Sequence, residues 1–481
     1  MNTSTDESGT VARWASILTL FQIGSKILYA IFLILLGNLP DVIYGRLEYM
    51  LALGSVFAIL ADLGIEAWLT RELAKHPEKL SREISEISSL KVYLTLLSGA
   101  LLVVWMLGWV APEWGESKEV PFTVAACALY MTALSIQSYV RSIVRAHHRL
   151  EIEGWMAMVD KFFVLVLGVV AFIQFGSLVA MMLTFTVASS ISAIFGLART
   201  RPFQPGLKPS FLPDWGVLRR TYPFALSSVC ILLFYYMDRL MLYQLLEQGD
   251  VAVAKYSRGY RIVMGLLLFP QMMSVAIYPT FSKLFDRPDE RVRVGVSSLQ
   301  TLLFIAFPLL VGGWAVGGPL LDLLFPHTDP HSASWVWDQM LGWDASVSNI
   351  TETTVLRILL LSLPFICCNY LFGPALNALG KEKLNLTASA VTLIANIGLN
   401  FLLIPKFGPA GAAVATTVTQ FLYAASMYLF LRTTEASWMG GFAIWRFLGL
   451  AFGMGGVLIA MGGLPVYVTI PVGGIAYLAA V

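Results

Sequence analysis

Long apolar runs alternate with short polar connections along the whole chain, and the lengths of the runs set its class before any single residue does. A helix that crosses hydrocarbon needs roughly 20 mostly apolar residues. On that rule twelve spans are expected, at about 12–36, 42–63, 90–110, 120–141, 155–173, 178–197, 221–246, 251–281, 294–316, 355–379, 386–404 and 408–431. A thirteenth follows at about 443–461, and 466–481 is short enough to be expected as a partial span. The pattern therefore predicts an all-α polytopic membrane protein. Its expected organisation is an N-terminal lobe over 1–200, a cytoplasmic linker over 201–220, a C-terminal lobe over 221–435 and additional helices over 436–481.

The runs also repeat. Leu150 to Thr200 and Leu384 to Thr433 each lead from a basic residue through a helix to a Phe-Gly turn, Phe175-Gly176 and Phe407-Gly408, and then through a second helix to Arg-Thr. Tyr44 and Tyr256 stand 27 residues before Arg71 and Lys283, bracketing the second helix of each half. Two parallel repeats of six helices are expected, with a substrate site between them near the midplane. The second Phe-Gly turn lies in the stretch Asn396 to Ala413, NIGLNFLLIPKFGPAGAA, which reads as a transmembrane hairpin. Small residues after Gly408 let the returning helix approach its neighbours closely. Asn396 and Asn400, four apart on one face, would be costly against lipid and are expected to point at protein or a wet cavity.

This stretch, with Ala415, Thr416 and Thr417 after it, resembles the O-antigen flippases, the polysaccharide-exporting branch of the multidrug/oligosaccharidyl-lipid/polysaccharide flippase superfamily. In that family an Asn-rich helix ends in Leu-Ile-Pro, a basic or polar residue, an aromatic residue and Gly, and the chain re-enters as Gly-Ala-Ala. The stretch Tyr44 to Ala74 is similar to the family's second helix, ending in Asp62, Gly64, Arg71, Glu72 and Ala74. Tyr256 to Pro279 and Leu356 to Gly380 look like its eighth and tenth helices. The outer loop Phe325 to Glu352, Trp-rich and acidic, departs from the pattern. The resemblance implies a MATE-like fold of two lobes and the movement of a lipid-linked oligosaccharide across the membrane. Its partners would be that lipid, the membrane lipids, a coupled proton or sodium ion, and a polysaccharide polymerase or ligase.

Composition supports the membrane reading. Only 13% of the 481 residues are charged, where soluble domains carry roughly a quarter. The basic residues are distributed unequally. One set of connections holds Arg71, Lys75, Lys79, Arg82, Arg141, Arg145, Arg149, Arg199, Arg201, Lys208, Arg219, Arg220, Lys283, Arg287, Arg291, Arg293, Lys381, Lys383, Arg432 and Arg446, and the other holds Lys118, Lys255 and Lys406. Positive-inside bias puts the first set, and the N-terminus, in the cytoplasm. The polar first ten residues carry no cleavage-type pattern, so no removable signal peptide is expected. The four cysteines, Cys127, Cys230, Cys367 and Cys368, lie in apolar runs and read as small packing residues.

Charges at membrane depth are expensive, and are therefore the candidates for chemistry. Lys26 lies near the centre of the first helix, and Arg46 and Glu48 about one turn inside the second. Asp238 and Arg239 lie about 12 Å below the outer end of the seventh, and Arg258 and Arg261 share a face of the eighth. The expectation is a cationic cavity lined by Lys26, Arg46, Arg258 and Arg261, with Asp238 paired to Arg258 or Arg261. Arginine offers bidentate donors suited to phosphate and lysine a point charge, so such a cavity would solvate a lipid pyrophosphate. Asp238, Arg239, Asp160, Asn396 and Asn400 are the candidates for coupling or gating, with Lys161 beside Asp160 at an inner gate. The alternation His327, Asp329, His331 has no element to fix ligand geometry, and no metal site is expected there; His147 and His148 read as interfacial. No P-loop is present, so neither ATP hydrolysis nor a cofactor is expected, nor is nucleic acid binding. The rivals are a MATE-like multidrug/cation antiporter, which would favour an acidic cavity, and a polymerase or ligase, which would favour a basic outer loop.

Overall fold

A computed structural model describes residues 21, 24–66, 68–69, 80–115, 118–147, 149–201, 216–326, 350–434, 444–461 and 465–480, and those residues form helices with no strand among them. The ends of the second-helix motif (Arg71, Glu72, Ala74), His148, most of the 201–220 linker, and His327, Asp329 and His331 lie outside the described residues. Seven described helices are long and apolar enough to cross a membrane, and an eighth span is a pair bent by 43°. Contacts divide the chain into two compact units: Met1–Leu39 with Arg46–Tyr236, and Pro40–Gly45 with Met237–Val481.

The first unit contains α1 (Gly24–Gly37), most of α2 (Asp41–Leu60), α3 (Leu80–Trp105), α4 (Val120–Ala146), α5 (Leu150–Gln174) and α6 (Leu178–Thr200). Its core joins Ile65, Trp68 and Leu69 to Leu90, Leu94 and Ile143. A second cluster, Val140, Val144, Ile152 and Met156, joins α4 to α5. Where α2 ends, Asp62 turns its carboxylate to three donors. Lys91 Nζ donates at 2.6 Å, Ser138 Oγ at 2.9 Å and the backbone N–H of Glu66 at 3.2 Å. The last of these caps the short helical segment that follows. Nearby, the Arg145 guanidinium donates twice to Glu153 and once to Glu66, tying α4 to α5.

The second unit contains the end of α7 (Gly216–Leu245), α8 (Gly249–Leu266), α9 (Leu268–Lys283), α10 (Pro288–Leu324), α11 (Glu352–Leu360), α12 (Leu363–Ala378), α13 (Glu382–Thr434), α14 (Ile444–Ala460) and α15 (Val466–Ala480). The division falls inside α7, later than residues 201–220. It also takes in the first turn of α2, because that turn is packed on α8. A Cβ at Gly45 would stand 1.7 Å from the backbone oxygen of Asp250, so only glycine fits there.

The expected hairpin is present in α13. Its helical run breaks at Gly408, whose φ of 50° and ψ of −135° are open to glycine and costly for other residues. The two arms fold back on one another, with Tyr423 Oη donating to Asn385 Oδ1 and Asn396 Nδ2 to Thr419 Oγ1. The corresponding turn between α5 and α6 also puts its glycine, Gly176, at positive φ (55°). The two Phe-Gly turns thus share one backbone device as well as one sequence pattern.

Candidate functional site

Asp238 is the most enclosed of the expected acidic charges, at 2% exposure. Burying a carboxylate this deeply is tolerable only if donors replace water. Three helical segments supply them: α8 and the two arms of α13. Asn400 Nδ2 donates to Oδ1 at 2.7 Å and Asn396 Nδ2 at 3.3 Å, while the hydroxyls of Tyr256 and Thr416 donate to Oδ2. Asn400 Nδ2 also reaches Asn396 Oδ1 at 3.1 Å, which holds both amides on one face. The spacing of Asn396 and Asn400 announced that face in the sequence. Thr416 and Thr419, three apart on the returning arm, and Tyr256 were not foreseen as its partners. The Oδ1 of Asn400 is buried and has no hydrogen-bond partner among the described residues. The site therefore contains one carboxylate, several neutral oxygens and one unsatisfied acceptor.

The expected pairing of Asp238 with Arg258 or Arg261 is corrected, since the carboxylate is met by Tyr256, Asn396, Asn400 and Thr416 instead. Arg258, 1% exposed, instead donates to Glu352 at the start of α11 and lies 2.7 Å from Asp41 at the start of α2. Its guanidinium and that of Arg261 both lie over the Tyr44 ring, at 5.1 and 5.0 Å from the centroid. Arg239, next in the chain to Asp238, lies over Tyr260 at 4.9 Å, and Tyr260 stacks on Tyr256. Arg258 is thus neutralised by two carboxylates. The signal for Glu352 was weak in the sequence, since it closes the acidic outer loop and is separated from Arg258 by 94 residues.

In the first unit, Lys26 is half-buried on α1 and Arg46 lies over the Trp114 ring at 5.0 Å. Asp160 and Lys161 meet each other at 2.8 Å, as their adjacency suggested, and each has a further contact. Ser189 donates to Asp160 at 3.0 Å, and Lys161 lies 4.3 Å from the centroid of Tyr29. Gln137 extends the chain of contacts, donating to the carbonyl of Ser189 and accepting from Arg141. The result is a continuous polar thread through α4, α5 and α6. Among the described residues no cluster of His, Cys, Asp and Glu has the composition of a metal centre.

Residues 11–285, more than half of the chain, match the family described as polysaccharide biosynthesis protein. The chain belongs to that family. Residues 223–402 of this polysaccharide biosynthesis family member also match the MatE family. It is 31% identical over 172 residues to the probable flippase AglR of Haloferax volcanii, covering 35% of this chain and 32% of that protein. A putative O-antigen transporter of Shigella flexneri is 22% identical over 196 residues, covering 41% of this chain and 42% of its own. The chain therefore spans less than half the length of these curated relatives. A solved structure of the lipid II flippase MurJ, in an inward closed conformation, matches with a TM-score of 0.73 at 15% identity, covering 96% of this chain and 98% of that one. At that identity the likeness is one of fold, and the expected all-helical transporter fold is borne out.

Proposed function

We propose that this chain is a flippase that moves a lipid-linked oligosaccharide, held through a polyprenyl pyrophosphate, from the cytoplasmic to the outer leaflet for polysaccharide or O-antigen assembly. The observation that carries the reading is the family match over 11–285. Relatives named as a flippase and an O-antigen transporter, and a fold like that of a lipid II flippase, point the same way. The membrane is the cell's inner membrane and the N-terminus is cytoplasmic, in keeping with the charge bias of the connections. A polymerase or ligase takes up the delivered unit.

The cationic part of the mechanism rests on Lys26, Arg46 and Arg261, since Arg258 is committed to Glu352 and Asp41. Cations at membrane depth replace the water that a pyrophosphate loses on entry, and the sugar follows while the polyprenyl tail stays in lipid. Transport proceeds by alternating access between the two lobes, 1–200 and 221–435, joined by 201–220. The energy comes from a cation gradient sensed at Asp238. A hard cation takes oxygen ligands, and Asp238, Asn400 and Thr416 offer a carboxylate, an amide oxygen and a hydroxyl in one enclosure. A proton on Asp238 would serve the same accounting.

A second reading, a MATE-like cation antiporter, is favoured by the match of 223–402 to the MatE family and by the buried Asp238 itself. Complementation of a flippase-null strain separates the two. The triple variant Lys26→Gln, Arg46→Gln, Arg261→Gln is expected to reach the membrane at normal level, to lose surface polysaccharide and to leave resistance to cationic dyes unchanged. Full surface polysaccharide in that variant would end the cationic-cavity mechanism. Dye resistance that fails while polysaccharide persists would support the antiporter.

A further inference from the structure

The second unit holds a cavity of about 1200 Å³ between α10, α11, α12, the returning arm of α13, and α14, remote in composition from the Asp238 site. Its wall is mostly apolar, with aromatic rings on every side: Phe307 and Trp314 from α10, Phe365 from α12, Phe421 from α13 and Phe452 from α14. One lining residue is charged. Arg357, on α11, donates its Nε to the carbonyl of Trp314 at 3.3 Å, and among the described residues this is the only hydrogen bond of that guanidinium. The residue itself lines the same apolar space. An uncompensated guanidinium in such surroundings is costly unless something brings an anion to it.

We infer that this cavity is a binding site for an anionic phospholipid, whose phosphate is held by Arg357 and whose acyl chains fill the aromatic-lined space. Three features select this occupant. A water-soluble anion would satisfy the guanidinium but leave the apolar wall bare, whereas hydrocarbon alone would cover the wall and leave the charge unmet. The volume exceeds the range of about 300–1000 Å³ usual for drug-sized ligands, which suits a two-chained lipid. Arg357 lies six residues past the N-cap Thr351, about 9 Å along the axis and in the last turn of α11. Arginine meets a phosphate through two parallel donors, so it discriminates a phosphate group that carries net charge from one beside an ammonium.

The site also bears on the shape of the lobe. Leu361 and Pro364, at the 43° break between α11 and α12, line the cavity, so the bound lipid packs directly against that bend. On α14 the small residues Gly455 and Gly456 give the cavity its breadth, and a Cβ at Gly456 would meet nothing within 4 Å. A bulky side chain at Gly456 therefore enters the cavity without a clash at its base.

The test is native mass spectrometry of the purified full chain, titrated in separate arms with phosphatidylglycerol, phosphatidylcholine and undecaprenyl phosphate. The wild-type chain is expected to retain phosphatidylglycerol about tenfold more tightly than phosphatidylcholine, the equivalent of about 1.4 kcal/mol. Arg357→Gln should bring the two to parity, Arg357→Lys should keep part of the preference, and Gly456→Phe should weaken both. Melting of each variant without added lipid, compared with wild type, identifies any that fail to fold, and the Lys and Phe variants then carry the test. Unchanged phosphatidylglycerol retention in folded Arg357→Gln and Gly456→Phe overturns the site. So does undecaprenyl phosphate binding that outcompetes phosphatidylglycerol and depends on Arg357, which would make the cavity a substrate-tail site.

Discussion

Replacing Glu352 by Gln tests the charge cluster at the starts of α2 and α11, and the two carboxylates around Arg258 should respond very differently. Arg258 and Glu352 have side chains only 1% and 4% exposed, while that of Asp41 is 34% exposed. Removing one partner from a buried pair leaves the other charge uncompensated, at a cost on the order of 3 to 5 kcal/mol. A partly exposed pair is screened by water and contributes up to about 1 kcal/mol. Glu352→Gln should therefore destabilise by several-fold more than Asp41→Asn. Adding Arg258→Gln to Glu352→Gln should recover much of the loss, because no isolated charge remains. Adding Arg258→Gln to Asp238→Asn should give simple additivity, since those side chains bond to different partners. The assay is denaturant unfolding of purified protein in mixed micelles, followed by tryptophan fluorescence. Equal effects of Glu352→Gln and Asp41→Asn, or a double variant equal to the sum of its singles at 258 and 352, would refute the argument. Coupling between 238 and 258 would restore the pairing expected from sequence.

At the Asp238 site, the melting temperature of wild-type protein should rise as sodium replaces choline at constant ionic strength, because a ligand that binds only the folded state stabilises it. Asp238→Asn and Asn400→Ala should flatten that response, and a wild-type melt that ignores sodium but shifts with pH would assign the coupling to a proton. For topology, Lys118 and Arg287, both exposed, are suited to labelling. In a background without the native cysteines, Lys118→Cys is expected to react with an impermeant thiol reagent on intact spheroplasts and Arg287→Cys only after lysis; the reverse would invert the direction of transport.

Much of this molecule was decided locally and was therefore legible in the residues. Apolar runs of membrane length announce helices because unsatisfied backbone groups cannot be left in hydrocarbon. The two Phe-Gly turns announced their reversals because glycine tolerates the positive φ found at Gly176 and Gly408. Asn396 and Asn400 announced a polar face because helical geometry places residues four apart side by side. Which residue that face would meet was another matter. Asp238 stands 162 residues before Asn400 and 178 before Thr416, and Arg258 stands 94 before Glu352. Asp238 and Arg258 each had several conceivable partners, all equally good by charge. Only the packing of α7, α8, α11 and the α13 hairpin brought particular donors and acceptors within hydrogen-bond reach. The lipid-sized cavity beside Arg357 belongs to the same class: no run of sequence encodes an empty volume, which exists only where five helices, each locally ordinary, fail to close on one another.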